Sequence, residues 1–398
     1  MPNKFSFKTV RDIESVFGSI AGKRVLLRLD LNVPIQNGAV TDGFRIQQSL
    51  ETVNFLQKAG AKIVIVAHLE NKEHPSLDVV CQYAARYFPA VFVKDPWNFE
   101  GTAALSDQAD GQIIIVENIR NWPGEKNNDE AFAKQLAALA DIYVDEAFSV
   151  AHRPHASIVG VPKLLPSFAG FNFEREVINL SKAFTPLHPY LFILGGAKFE
   201  TKAPLVKKFL GLADQVFVGG ALASDLLKAK GYEIGDSTHS DKDYGFAEML
   251  SDPKLLLPSD VMVENGSTKK MVRKADQVLP GEKMWDAGPQ TIADLLPVIK
   301  QARFILWNGP LGVFENGYTE DTFALAKAIA EASVKPGAGD NTGAQTIVGG
   351  GDTLASIEQL KLSDKFTFIS TAGGAMLDFL ANETLVGIEA LENSTGKK

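Results

Sequence analysis

Short runs rich in β-branched and apolar residues alternate, along almost the whole chain, with longer amphipathic stretches. Strands that are apolar on both faces and separated by helices require a parallel sheet covered on both sides. Candidate strands are Val25–Leu29, Lys62–Ala67, Val91–Val93, Ile113–Val116 and Asp141–Val144. A second series follows at Tyr190–Leu194, Gln215–Val218, Asp260–Val263, Phe304–Trp307, Thr346–Val348 and Thr367–Ser370. Helical patterns lie between them, among them Gln47–Lys58, Asp129–Ala140, Leu205–Leu210, Tyr318–Ala332 and Thr353–Leu360. The strands suffice for two sheets, and 398 residues suit two or three domains at roughly 100–200 residues each. Prolines cluster at Pro154, Pro162, Pro166, Pro186 and Pro189, and Phe173–Phe184 inside that region reads as one connecting helix. The expectation is an α/β protein of two doubly wound (Rossmann-like) parallel-sheet domains, 1–172 and 173–382, joined by a helix hinge.

Several function classes are excluded. The net charge of −8 repels a phosphate backbone and argues against a general nucleic-acid binder, though not against a small anion in a local basic pocket. The single cysteine, Cys81, rules out a disulfide scaffold and any Cys-based zinc or iron–sulfur site, and its helical context Leu77–Phe88 marks it as packing. No apolar run approaches the ~20 residues that span a bilayer, and Met1–Lys8 has no hydrophobic signal core. A cytoplasmic protein without a membrane partner is expected.

In open parallel sheets, ligands bind beyond the carboxyl ends of the strands. In the first half those positions carry charge: Asp30 and Asn32 after the first strand, His68 after the second, Arg120 after Ile113–Val116, Arg153 after the fifth, and Arg45 in the turn leading into a helix. Such a set suits an anion clamp, because guanidinium forks match phosphate and carboxylate oxygens. In the second half the same positions carry glycine: Gly195-Gly-Ala-Lys198, Gly219-Gly-Ala221, Gly349-Gly-Gly-Asp-Thr353 and Thr371-Ala-Gly-Gly374. Strand–glycine–helix junctions expose backbone N–H groups to phosphate. None matches a P-loop, and none is a full Gly-x-Gly-x-x-Gly with an acidic residue ~20 positions on, which disfavours a nicotinamide dehydrogenase. The residues alone therefore suggest one domain for a multiply charged anion, another for a nucleotide tail, and closure of the two to exclude water for phosphoryl transfer.

From about residue 5 onward the chain resembles the phosphoglycerate kinase family. The matching segments are Arg24-Val-Leu-Leu-Arg-Leu-Asp-Leu-Asn-Val-Pro34, Gly124-Glu-Lys126, Ala151-His-Arg-Pro-His-Ala-Ser157, Gly195-Gly-Ala-Lys198, Gly231-Tyr-Glu-Ile-Gly235, Trp307-Asn-Gly-Pro-Leu-Gly-Val-Phe-Glu315 and Val348-Gly-Gly-Gly-Asp-Thr353. The resemblance implies a bilobal, monomeric kinase that moves the acyl phosphate of 1,3-bisphosphoglycerate to ADP, giving 3-phosphoglycerate and ATP, with Mg²⁺. It also implies a tail, 383–398, that returns to the first domain. Asp30, Leu31 and Asn32 would face the glycerate part of the substrate. Arg45 would contact its carboxyl and the migrating phosphoryl group. His68, Arg120 and Arg153, with the segment Leu69, Glu70 and Asn71, would hold the remote phosphate. Lys198 would sit on the transferring group, with Gly350, Gly373 and Gly374 as catalytic backbone. Lys202 would contact the nucleotide phosphates with Asn308 near them, Gly196, Gly351 and Thr353 would bind the nucleotide, Asp352 would hold the metal, Glu315 the ribose, and Gly219, Gly220 and Gly288 would line the adenine slot. No general base is needed, because the acceptor carboxylate is already ionised near neutral pH.

The departures lie where the family reads Ser-His-Leu-Gly-Arg-Pro and this chain reads Ala67-His-Leu-Glu-Asn-Lys72. Asn71 replaces an arginine and Glu70 adds a negative charge, with Lys72 and His74 as compensating candidates. Ala372 replaces a glycine and is strained if that position needs φ > 0. Asn121, and Asp145-Glu146, also differ from the usual pattern. An alternative reading is an inactive relative that binds phosphoglycerate or nucleotide. His152 and His155 have metal-like spacing but no third ligand.

Overall fold

The computed structural model describes residues 5–197, 199–240, 242–266, 270–334 and 343–394. The chain divides into two units, Met1–Ile178 with Asn382–Lys398, and Asn179–Ala381. In the first unit, β1 (Arg24–Arg28), β2 (Lys62–Val66), β3 (Ala90–Val93), β4 (Ile113–Val116), β5 (Ile142–Asp145) and β6 (Ser167–Ala169) form one parallel sheet in the order β3-β4-β2-β1-β5-β6. The alternate residues Val25, Leu27, Ile63, Ile65, Ile113 and Ile115 pack in one core with Val53 and Leu56 of helix Leu50–Lys58. Leu26, Val64, Ile114 and Tyr143, which point the other way, are also buried. Burial on both faces is why these runs are continuously apolar. β6 escaped the sequence reading because it has only three residues behind Pro166. The expected helix Gln47–Lys58 is two helices, Phe44–Gln48 and Leu50–Lys58. They part at Ser49, whose N–H bonds back to Ile46 O, a tightened turn.

In the second unit the strands are β7 (Tyr190–Leu194), β8 (Gln215–Val218), β9 (Leu255–Leu256), β10 (Asp260–Glu264), β11 (Met271–Lys274), β12 (Lys283–Ala287), β13 (Phe304–Asn308), β14 (Gln345–Gly349) and β15 (Phe368–Ser370). Six of them make a parallel sheet in the order β9-β8-β7-β13-β14-β15. Leu191, Ile193, Ile305, Trp307 and Val348 pack with Leu295 and Ile299 of helix Pro289–Gln301 and with Leu325 and Ile329 of helix Glu320–Ala332. β10, expected in the parallel series, instead centres a separate antiparallel sheet, β11-β10-β12. Its Val261 and Val263 are buried while Met262 and Glu264 are partly open. That alternation suits a sheet with one solvated face.

Both sheets reverse their winding at one place. The connection leaving β1 goes to one side and that leaving β5 to the other; β7 and β13 stand in the same relation. Such switch points open a crevice at the carboxyl ends of the two strands. Helix Phe171–Ser181 carries the chain from the first unit into the second. At its start the buried Glu146 accepts hydrogen bonds from Thr52 Oγ1 and from the Asn172 and Phe173 N–H groups. Helix Val386–Glu392 belongs to the first unit: Gly387 N–H donates to Ala151 O (2.8 Å), and Ser6 N–H donates to Glu392 (2.8 Å). No helix among the described residues is long and apolar enough to cross a membrane.

Candidate functional site

The β1–β5 switch point gathers the charged residues of the first unit. Directly beyond β1, Asp30 accepts Asn32 N–H (3.1 Å) and the Ser149 hydroxyl (2.6 Å), and its carboxylate is paired with Arg45. Asn32 Oδ1 accepts Glu70 N–H (2.8 Å), tying the β1 loop to the β2 loop. Asn118 clamps the same loop, taking Leu69 N–H (3.2 Å) and donating to Leu69 O and Pro75 O (both 2.9 Å). Leu31 and Leu69 are buried beneath it.

His68 is almost fully buried, and Arg28 Nη2 lies 3.2 Å from its Nδ1. Burial, followed by the charges of Arg28, Arg120, Arg153 and Arg45, pushes its pKa well down. The imidazole is therefore neutral. With Arg28 donating to Nδ1, the proton sits on Nε2, which becomes a donor. His155 is likewise lowered, to about 4, by burial and then by Arg120, Arg153, Arg28 and Lys126. Two neutral histidines among arginines report a strongly positive locality. Arg120 is nearly buried, and its Nε and Nη2 have no partner among the described residues; its Nη1 is paired with Glu70. Arg153 Nη1 approaches the same carboxylate oxygen at 3.5 Å. Asn71 does not join them: its Oδ1 accepts Glu73 N–H (3.0 Å) and His74 N–H (2.9 Å) and stabilises the loop.

The second unit builds a cavity of about 270 Å³ at its own switch point, lined by Gly196, Gly220, Trp285, Asp286, Leu311, Glu315 and Asp352 among others. Its floor is backbone on backbone. Gly195 N–H donates to Asn308 O (2.9 Å) and Gly196 N–H to Pro310 O (2.8 Å). Gly220 has φ +63°, and a Cβ there would lie 2.6 Å from Gly196 N, so no larger residue fits. Lys202 is buried on helix Phe199–Leu212 and donates to Gly195 O (2.7 Å). Burial lowers it to about 8, with Asp352 acting the other way. Asp352 is raised by burial and then by Glu315, with Lys202 opposing. Thr353 Oγ1 accepts Gly309 N–H (3.0 Å) and so orients the loop before helix Gly351–Gln359. Asn308 is buried with Nδ2 against Met376 Sδ (3.5 Å). Gly219 and Gly288 both lie outside the cavity lining, Gly219 against Leu311 and Gly288 against the Asp260 carboxyl group. Gly350 (φ +102°) and Gly373 (φ +57°) take the left-handed backbone at the starts of helices Gly351–Gln359 and Gly374–Asn382. Ala372 does not, so its replacement of glycine brings no backbone strain. Lys198 lies outside the described residues.

Three contributors were not singled out from the sequence. Arg28 was hidden inside an apolar strand, although a charge in such a run was itself a signal. Trp285 stacks on Tyr318 with ring centres 5.1 Å apart and lines the cavity. Asp286 is pushed up to about 8 by burial and by Asp321, and lines it too. No group of three or more His, Cys, Asp or Glu suited to a metal occurs among the described residues.

Two six-stranded parallel sheets, one carrying an arginine cluster and the other a glycine-walled cavity, define an α/β protein of the phosphotransferase kind. Known proteins narrow this further. The phosphoglycerate kinase family model matches residues 13–383. Phosphoglycerate kinase of Roseiflexus castenholzii is 39% identical, over 97% of this chain and 99% of that protein. The enzyme of Pelotomaculum thermopropionicum is 37% identical, over 96% and 98%. Solved phosphoglycerate kinases from Coxiella burnetii (TM-score 0.81, 34% identity, 97% and 99% covered) and Pyrococcus horikoshii (0.83, 28%, 96% and 98%) share the fold. The chain belongs to the phosphoglycerate kinase family. It is a kinase of glycolysis, and the comparisons favour that reading over an inactive binding relative.

Proposed function

We propose that the first unit binds 3-phosphoglycerate or 1,3-bisphosphoglycerate and that the second binds ADP or ATP with Mg²⁺, the acyl phosphate passing reversibly between them. The observation that carries this reading is the grouping of Arg28, Arg45, Arg120 and Arg153 around a neutral His68. In it, Arg120 and Arg153, with the His68 Nε2 proton, hold the remote phosphate, while Asp30, Asn32 and Arg45 orient the glycerate end. Charge in the transition state of phosphoryl transfer is spread over three oxygens, so catalysis is alignment plus neutralisation. Arg45, Lys198, Lys202 and the helix N-termini after Gly350 and Gly373 provide it. The acceptor carboxylate arrives ionised, so no residue has to remove a proton.

A divalent cation fits the second unit. Burial and then the Glu315 charge raise the proton affinity of Asp352, and a hard carboxylate oxygen beside nucleotide phosphates is what Mg²⁺ selects. Asp352 would hold the ion, which when bound supplies charge neutralisation to the nucleotide phosphates. Glu315 takes the ribose hydroxyls, and Gly219 and Gly220 keep the base slot open. The same reading makes the enzyme a cytoplasmic monomer, as the family resemblance implies. The test is to supply ATP, Mg²⁺ and 3-phosphoglycerate and follow acyl phosphate formation. Turnover is expected; none at saturating substrate sinks the proposal.

A further inference from the structure

We propose that Glu70 is a built-in competitor for the phosphate seat: its carboxylate stands on Arg120 and Arg153 in place of the remote phosphate, and substrate enters by displacing it. The inference rests on the reading of those two arginines as phosphate ligands. It deepens that reading by naming what sets the affinity and selectivity of the seat in this chain.

The geometry is that of a bound anion. One oxygen, Oε1, is shared between Arg120 and Arg153, which arrive from the loops after β4 and β5. Both arginines favour the ionised carboxyl, and its pKa is lowered although burial works against this. The carboxylate is therefore a permanent charge at neutral pH. Its residue is fixed through the backbone, since Glu70 N–H donates to Asn32 Oδ1 (2.8 Å). The side chain itself is half exposed, whereas that of Arg120 is only 5% exposed. The carboxylate can thus swing into solvent without disturbing the loop, while the guanidinium stays in place.

The occupancy is also incomplete. Glu70 engages only Nη1 of Arg120, and Nε and Nη2 keep no partner among the described residues. A phosphate ester presents three oxygens and nearly two charges, so it satisfies donors that one carboxylate oxygen leaves over. A single carboxylate or a halide offers no more than Glu70 already does, and Glu70 has the advantage of being tethered at high effective concentration. The seat therefore passes phosphate esters and refuses weaker anions, at the cost of a higher KM for the true substrate. Asn71 does not offset this: its Oδ1 is held by the Glu73 and His74 amides and its Nδ2 lies against Ile35 O (3.5 Å).

The experiment is steady-state kinetics on the full chain with Glu70→Gln and Arg153→Gln, each checked by thermal melting. Glu70→Gln keeps the size and the backbone contact and removes the charge. The expected result is a KM for 3-phosphoglycerate lower by about tenfold, the loss of one charge-assisted pair, with kcat and the KM for ATP unchanged. Acetate, silent in the parent, becomes a competitive inhibitor of the variant. Arg153→Gln is expected to raise the same KM. If Glu70→Gln leaves KM unchanged or raises it while Arg153→Gln raises it, the seat is right and Glu70 is not its competitor. If neither variant moves KM, the reading of the arginines falls, and the competitor with it.

Discussion

Lys202 offers the sharpest quantitative check on the nucleotide cavity. Burial holds its ammonium down to about 8 from an ordinary 10.5. At 1.36 kcal/mol per pH unit, the charged form carries a penalty of roughly 3 kcal/mol, which a bound phosphate would remove. In the free protein about 0.1, 0.5 and 0.9 of the lysine is neutral at pH 7, 8 and 9. If nucleotide phosphates return the lysine to its usual range, binding draws in that same fraction of a proton. The sign is fixed. Well below pH 8 the lysine is mostly charged and little is taken up; well above it, nearly every binding event must first protonate the amine, so affinity falls toward tenfold per pH unit. The nucleotide's own phosphate ionises near pH 6 and is finished before this window opens. Calorimetric titration with MgADP at pH 7, 8 and 9, in two buffers of different ionisation enthalpy, reads the uptake directly. Lys202→Met should bind more weakly and take up none. Equal heats in both buffers at pH 8 to 9, or unchanged uptake in the methionine variant, would refute the argument.

Two further predictions concern the frame behind the arginine cluster. A Cβ at Gly170 would fall 1.9 Å from Glu146 Oε2, so Gly170→Ala must push that carboxyl off the Asn172 and Phe173 amides. We expect a loss of about 2–4 kcal/mol in denaturant unfolding; a loss under ~1 kcal/mol would show that the carboxyl relocates freely. Asp145 is fully buried, with Oδ1 accepting Ala147 N–H and Oδ2 without a partner among the described residues. Burial raises it to about 6. A raised acid favours the protonated fold, so stability is drained as pH climbs from about 4 to 6 and stays lowered above. Asp145→Asn should therefore stabilise the protein at pH 8, by up to about 3 kcal/mol, and much less at pH 4. Equal effects at both pH values would remove the charge from the explanation.

The parallel sheets were legible because burial on both faces writes itself as unbroken apolar runs, such as Ile113–Val116. The site was legible where a lone charge or a glycine follows such a run, as with Asp30, His68 and Gly195. What stayed hidden has physical causes. β10 has an apolar centre, Val261-Met-Val263, like the parallel strands, and only its pairing with Met271–Lys274 and Lys283–Ala287 decides that it is antiparallel. Arg28 depends on Ser157 and His68, 129 and 40 residues away, for the contacts that let it be buried. Glu70 was visible as an unwelcome charge, but its seat on Arg120 and Arg153 is a product of three loops meeting. Ala372 illustrates the converse: the sequence raised a doubt about backbone strain that the observed dihedral removes.

The contact between Gly387 and Ala151 bears on how the molecule is made. The second unit is a single stretch, Asn179–Ala381, so all its residues emerge from the ribosome in one run. Those of the first unit do not. Although most of its residues precede the second unit in the chain, the helix that buries Ile388 and Leu391 against it comes after the whole of that unit. The usual order, in which the leading domain matures first, is thus inverted at the final step. For the arginine-bearing half, helix Val386–Glu392 can dock only after the chain has passed through its companion.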